Sequence, residues 1–407
     1  MRVLHLVKTS DGARWAALQA AELARLGIEV HVALPSAKGN VVNDWEDAKA
    51  VIHEISLDYP ARKPWSLPAV CSRARSLVAS VKPDIIHAHN FGPVLLIRRA
   101  LGLQHLTPRI FQVPGPLHLE HWPYRTWDKA SAGAKDFWIA SSRCIQEHYL
   151  RAGIERSRVF LSYYGFKTSS FSPQRSNALR RLLRIPDTTF VAGNISYIYT
   201  PKYCLGQRIG LKCHEDLIAA LGLVINRRPD VIGVLAGGAW GKGKAYEHKL
   251  RRLAEETGRG RILMPGHLPF SEVQKVWPDF DCAIHAPLSE NCGGVVEPLL
   301  AGVPTIAARV GGLPEVVING RTGLLVPRRD PSALHEAILR VIENSEPYRQ
   351  MADRGSQLVQ MMFDVRRTAR EVHDIYSHIL DPSRQRPLEF NAADFLDGCR
   401  AHRYVGA

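Results

Sequence analysis

Short apolar blocks alternate with stretches of helical spacing from the first residues onward. Arg2–Val7 predicts a strand, the turn Lys8 to Gly12 leads into an Ala-rich helix that stops before Gly27, and Ile28–Leu34 predicts the next strand. Asp84–Asn90, Arg109–Val113, Phe137–Ser141 and Val159–Tyr163 continue the series. The pattern then breaks. Residues 167–186 are basic and Ser-rich with Pro173 and Pro186 as punctuation, which reads as an inter-domain hinge. A second series follows, with strands at Phe190–Ile195, Val231–Ala236, Arg261–Met264 and Cys282–His285 and a charged helix over Ala245–Thr257. Asp330-Pro331 opens a helix with a stripe of Leu334, Ala337, Ile338 and Val341, and Val365, Ala369, Val372, Tyr376 and Ile379 mark one face of a last long helix. Strand and helix in regular alternation predict parallel sheets of an α/β protein, and 407 residues predict two domains.

Polar residues at strand ends supply the candidate chemistry. In DIIHAHN, His87 and His89 share a face at the carboxyl end of a strand, the edge that borders the ligand crevice of an open parallel sheet; they read equally as site walls or as hydrogen-bonded strand-end histidines. The stretch PGPLHLEHWPYRTW after Arg109–Val113 reads as a loop dense in apolar faces with polar tips, suited to a sugar or lipid-linked acceptor. Gly237-Gly238 ends a strand at the same kind of crevice, for a tight turn or for close approach to a ligand. The richest segment is PLSENCGGVVEPLLAGVPTIAARVGGLPEVVINGRTGLLV, residues 287–326. Ser289 and Asn291 can cap a helix opening near Gly293-Gly294, where amides and helix dipole face an anion. Glu297 sits about one turn further, and an acceptor-only carboxylate suits a ribose diol. Phosphate below and hydroxyls above describe a nucleotide-sugar pocket.

Glu297, Gly302-Val303-Pro304, Gly311-Gly312 and Glu315 resemble, in register, the signature of the retaining glycosyltransferases of family four, whose fold is GT-B. The family's first glutamate falls on Ser289, with Glu290 one place late. Lys212-Cys213-His214-Glu215-Asp216-Leu217 resembles the family's Lys-Gly-His segment, so the resemblance implies that Lys212 grips the donor diphosphate. The usual arginine is displaced by the insertion SYIYTPKYCLGQRIG, which offers Lys202 or Arg208; a guanidinium brackets two phosphate oxygens, which favours Arg208. The family's donor-contacting histidine maps nearest to His118, with Glu120 and His121 as runners-up. The resemblance further implies donor contacts at Glu290, Asn291, Gly293, Gly294, Val295, Gly237, Gly238 and His267, the last in a loop that cups the base, and an acceptor side near Gly12, His87, His89 and Glu120. It implies two facing Rossmann-like domains: residues 1–170 on the acceptor side with 365–407 crossing back onto it, a hinge at 171–186, and a donor domain at 187–364. The reaction implied is transfer from a nucleotide-diphosphate sugar, UDP-sugar favoured, to an acceptor hydroxyl with retention, in polysaccharide, lipopolysaccharide or glycolipid synthesis. No cofactor and no metal are expected, and Asp279-Phe280-Asp281 is a strand entry rather than a metal-binding D-x-D.

Charge and composition narrow the partners. The net charge is +14, and between Asp58 and Asp84 there are cations and no acid, with Val70, Leu77, Val78 and Val81 at helical spacing. Such a helix could lie on an anionic membrane, or be a solvated basic face. Aromatics are not interleaved there, so nucleic acid is not expected. No apolar run reaches bilayer length, and MRVLHLVK lacks the cleavage site of a signal peptide, so a cytoplasmic address is expected, with peripheral attachment to the inner membrane face as an extension. Seven scattered cysteines without a C-x-x-C pair fit idle thiols. A nicotinamide oxidoreductase would need a G-x-G-x-x-G after a strand, which is absent, and nothing announces the pyridoxal lysine of a phosphorylase. A non-catalytic nucleotide-sugar- or lipid-binding protein of the same fold is the alternative.

Overall fold

A computed structural model describes residues 1–398. The chain divides into two units, Met1–Lys167 with Met362–Asn391, and Thr168–Met361 with the segment from Ala392. The first holds a seven-stranded parallel sheet, β1 (Arg2–Leu6), β2 (Glu29–Leu34), β3 (Val51–Glu54), β4 (Ile85–Ala88), β5 (Arg109–Val113), β6 (Asp136–Ala140) and β7 (Val159–Leu161), in the order β3-β2-β1-β4-β5-β6-β7. The second holds six, β8 (Phe190–Ile195), β9 (Val231–Ala236), β10 (Ile262–Gly266), β11 (Cys282–His285), β12 (Thr305–Ala308) and β13 (Leu324–Val326), in the order β10-β9-β8-β11-β12-β13. Both orders reverse beside the first strand, at β1/β4 and at β8/β11, and each reversal opens a crevice at the strands' carboxyl ends. This is the GT-B pair of Rossmann-like units.

Period-two alternation builds each core on both faces of its sheet. Leu4 and Leu6 enter one cluster with Ile86, Ala88 and Phe111, while Val3 enters the other with Ile85, Ile110 and Tyr376. The helix Val365–Leu380 packs on Arg14–Arg25 within the first unit, burying Ala369, Val372 and Tyr376. β3, exposed or half-buried along its length, is an edge strand without the apolar run that announces the others.

Four expectations change. The helix Leu67–Val81 forms, but Val70, Leu77, Val78 and Val81 are buried with Val94 and Ile97 in the core, so that stripe is not a membrane-inserting face. Residues 117–130 are two helices, Leu117–Glu120 and Trp122–Ala130, rather than a loop. Residues 171–186 fold into the second unit instead of spanning a hinge. The buried Asp279 carboxylate accepts Ser176 N (3.0 Å), Asn177 N (2.7 Å) and Leu179 N (2.8 Å), starting the helix Ala178–Leu183. Asp281 accepts Val191 N at 2.8 Å and pairs with Arg180 at 3.0 Å, so both acids of Asp279-Phe280-Asp281 serve the backbone. Finally, the segment from Ala392 groups with the second unit, where Asp397 pairs with Arg321 at 2.7 Å; residues 399–407, expected on the first unit, lie outside the described residues.

Candidate functional site

At the β8/β11 reversal of the second unit, a line of polar groups leads from the sheet to a charged pair. Asn194 on β8 donates through Nδ2 to Ile284 O at 2.7 Å, which sets its amide, and to His285 Nδ1 at 3.1 Å. His285 then carries its proton on Nε2 and donates it to Glu290 Oε2 at 3.1 Å. Lys212 pairs with the same carboxylate, and Glu290 Oε1 accepts Asn291 N at 3.2 Å. Burial by itself would raise the Glu290 carboxyl, but Lys212 and His285 hold it down at about 2. Burial lowers His285 and brings His214 down to about 4, with Lys212 adding to it, so both imidazoles are neutral beside the lysine. Lys212 and Glu290 side chains keep 15% and 16% exposure, so the pair lies at the margin of the buried interior.

Glycines hold this loop in place by steric necessity. A Cβ on Gly294 would stand 2.0 Å from His285 Nε2, so the ring occupies the space of a missing side chain. Gly311 has φ +54°, and a Cβ there would meet Glu290 O at 1.8 Å. Gly237, at φ +128°, lets the backbone come against Ser196 O, and Gly238 lies against His267. These two serve loop-on-loop packing, whatever a ligand adds. The helix Gly293–Leu300 has Cys292 as its N-cap without a side-chain cap, so Ser289 and Asn291 do not cap it. Val295 is fully buried and its amide is taken by Cys292 O at 3.3 Å, which withdraws it from donor contact. Gly293 is exposed at that helix start. Glu297 is half-buried in a separate niche, accepting Trp277 Nε1 at 3.2 Å, and burial pushes its carboxyl up. Arg208 is exposed and, among the described residues, no ion pair orients it as Lys212 is oriented.

The first unit treats its predicted residues differently. His87 and His89 are 0% exposed, which contradicts a role as acceptor walls. His5, opposite His87 in register, joins them, with ring centroids 4.2 Å apart for His87 and His89 and 5.2 Å for His5 and His89. Tyr164 OH donates to Gln112 O at 3.0 Å, so its oxygen accepts His89 Nδ1–H at 3.1 Å; His89 Nε2 then accepts His5 Nδ1–H at 2.9 Å. Tyr376 closes on His87 Nδ1 at 2.5 Å. His118 turns Nε2 inward to Tyr149 OH (3.1 Å) and the buried Asp128 (3.4 Å), which is itself paired with Arg98 at 2.7 Å. Glu120 is exposed on the same short helix. In the opening turn Ala13, not Gly12, takes the left-handed conformation, at φ 63°.

Sequence reasoning passed over Asn194 and His285. The signal was available: each is a polar residue at the carboxyl end of an apolar strand, the same cue that drew attention to His87 and His89.

Two family profiles match, one in each unit: Glycosyltransferase Family 4 over residues 12–170 and Glycosyl transferases group 1 over residues 203–358. A D-inositol 3-phosphate glycosyltransferase of Nocardioides sp. is 28% identical over 235 residues, 54% of this chain and 48% of that protein. The chain thus spans about half the length of the curated relatives it matches. Among solved structures, Anabaena Alr3699/HepE in complex with UDP and glucose superposes with a TM-score of 0.76 at 20% identity, over 93% of this chain and 99% of that one. Sucrose-phosphate synthase from Thermosynechococcus elongatus gives 0.75 at 18% identity, over 94% and 100%. With the paired α/β units and the matched profiles, this chain belongs to the group 1, family four glycosyltransferases of GT-B fold.

Proposed function

We propose that this chain moves a sugar from a nucleoside-diphosphate sugar, a UDP-sugar in preference, to an acceptor hydroxyl on a saccharide or lipid-linked carrier, with retention and without a metal ion. The observation that carries this is the Lys212–Glu290–His285–Asn194 line at the β8/β11 reversal. When the anomeric C–O bond breaks, negative charge grows on the diphosphate. An ammonium already oriented, beside neutral His285 and His214, stabilises that charge more in the transition state than before it. Glu290 holds Lys212 until a diphosphate competes for it. No carboxylate of the line is free to attack the anomeric carbon, because Glu290 is engaged through both oxygens. Retention then follows a front-face path in which the departing phosphate oxygen takes the acceptor proton. UDP is favoured because the Anabaena protein has been crystallised in complex with UDP and with UDP-glucose. The acceptor class is supported by the exposed Trp122 and Tyr124 of the first unit, which offer apolar faces to a saccharide.

Thermal shifts with UDP, GDP, ADP and their sugars, followed by transfer assays in excess chelator, test the donor and the metal independence. Proton NMR of the fresh product reads the anomeric configuration, and an inverted product would sink the front-face path. A non-catalytic donor-binding protein is the second reading, favoured by Ser289 at the first-glutamate position and by the neutralisation of Lys212 in its ion pair. It predicts nucleotide binding with neither transfer nor slow donor hydrolysis.

A further inference from the structure

Glu290 carries two partners on one oxygen. Its Oε2 pairs with the Lys212 ammonium and accepts the His285 Nε2 proton at 3.1 Å, while Oε1 accepts Asn291 N at 3.2 Å. A diphosphate that takes Lys212 removes the cation and brings negative charge to the same place. Both changes raise the proton affinity of the carboxylate, and the burial that Lys212 offset is then unopposed. A buried carboxyl beside a diphosphate costs less as an acid than as a bare anion.

The groups facing Glu290 decide where that proton can sit. On β11, His285 is engaged at both nitrogens: Nε2 donates to Glu290, and Nδ1 accepts from the Asn194 amide at 3.1 Å. Asn194 cannot turn its oxygen to the ring without setting it against Ile284 O, to which its Nδ2 donates at 2.7 Å. A proton on His285 Nδ1 would therefore point at an N–H. His214 is buried at the start of the helix His214–Arg227, where the helix dipole opposes a positive charge. Tyr199, on the segment after β8, is kept a neutral phenol by burial and by Glu290, its hydroxyl pushed up to about 12. The remaining seat is Glu290 Oε2, at the position the ammonium leaves. A proton there keeps the His285 and Asn291 hydrogen bonds and turns an O–H toward the incoming phosphate.

We propose that Glu290 serves the bound donor as a neutral carboxylic acid: a proton from solvent adds to Oε2 as Lys212 passes to the diphosphate, and the new O–H donates to a diphosphate oxygen; this rests on the donor reading above. Lys212 stays an ammonium throughout, and product release reverses the exchange. Asn194 and His285 are positioning residues in this step, holding the ring neutral and reserving the proton for the carboxylate.

Isothermal titration of the full chain with UDP, GDP and ADP, in PIPES and in imidazole buffer, counts the protons exchanged on binding. At pH 7 wild type should take up about half a proton or more per nucleotide bound. Glu290→Gln, neutral at every pH, should exchange only what the nucleotide itself exchanges and bind about tenfold tighter than wild type at pH 8. Wild-type affinity should fall as pH rises from 6 to 8, toward about tenfold per unit, whereas ionisation of the nucleotide's terminal phosphate alone would make it rise. Asn194→Asp, which turns an acceptor to His285 Nδ1, should lower the proton count while nucleotide still binds. If wild type binds nucleotide without proton uptake, Glu290 stays ionised and the inference falls while the donor reading stands; an affinity rising with pH overturns it even where Glu290→Gln fails to fold. If Glu290→Gln keeps the wild-type uptake, the proton goes to another group, His214 first, and the assignment to Glu290 is wrong. If wild type binds no nucleoside diphosphate, the donor reading itself fails and this inference with it.

Discussion

Each unit places histidine at the reversal point of its sheet, but one cluster is sealed and the other is kept half open. At β1/β4, His5, His87 and His89 are wholly buried, and Tyr164 and Tyr376 close over them. At β8/β11, His285 meets Glu290, and Glu290 meets Lys212 at a margin that solvent reaches. Neutral imidazoles can be dry because each can trade a proton with another ring or a phenol. An ion pair cannot be buried so cheaply, since desolvating both partners costs several kcal/mol each. Equivalent topology therefore yields a buried polar seam in one unit and a charged, part-exposed pair in the other. The difference is whether a lysine and a glutamate arrive on the flanking loops.

The most severe test of this contrast is Lys212→Ala. It should lower transfer about 100- to 1,000-fold, the range for losing one preorganised stabiliser of developing charge, and cost about 1–3 kcal/mol of stability because Glu290 keeps His285 and the Asn291 amide but loses its cation. Transfer measured beside a urea titration checks it, and wild-type turnover would end the site assignment. The mirror experiment is His87→Ala, which should cost about 2–4 kcal/mol of stability through the cavity and the stranded Tyr376 hydroxyl. Activity per folded molecule should hold, so a specific activity loss in the folded fraction would show that the seam is not merely structural. A smaller effect is expected from Gly294→Ala, whose new Cβ displaces the His285 ring at about 1–3 kcal/mol of overpacking strain; loss of nucleotide affinity without loss of fold would sharpen the link from His285 to Glu290.

Acid should act on both regions. His5 at about 3, His214 at about 4, and His87 and His89 well below the usual range are all lowered by burial. Below about pH 6.5 the unfolded chain takes up protons that these folded imidazoles refuse, so stability falls as pH falls, by about 1.4 kcal/mol per pH unit per histidine. Glu290, held at about 2, adds its own loss only below the ordinary carboxylate value near 4.5. Urea midpoints from pH 8 to 5 test this, and a flat profile would contradict neutral burial.

Much of the fold was legible because parallel strands buried on both faces read as uninterrupted apolar runs: β1, β5, β8, β9 and β11 lie within a residue or so of their expected bounds. β3 was missed because a half-exposed edge strand needs no such run. The stretch Ser176–Ile185 was misread because its basic, Ser-rich composition says nothing of Asp279, which lies far along the chain and organises it. Lys212, Glu290 and the glycine pairs were legible as motif positions, while His285 and Asn194 were not, since their roles exist only where β8 and β11 pair.

What the sequence alone determined is what local chemistry and period dictate: two alternating α/β series, a lysine before a helix, a Gly-rich loop opening another, and an acid one turn inside it. Only the tertiary structure decided which histidines are dry and which touch charge, and that the stripe of Leu67–Val81 belongs to a core. Burial and pairing are properties of neighbours brought together from distant positions, and no local pattern records which neighbours those are.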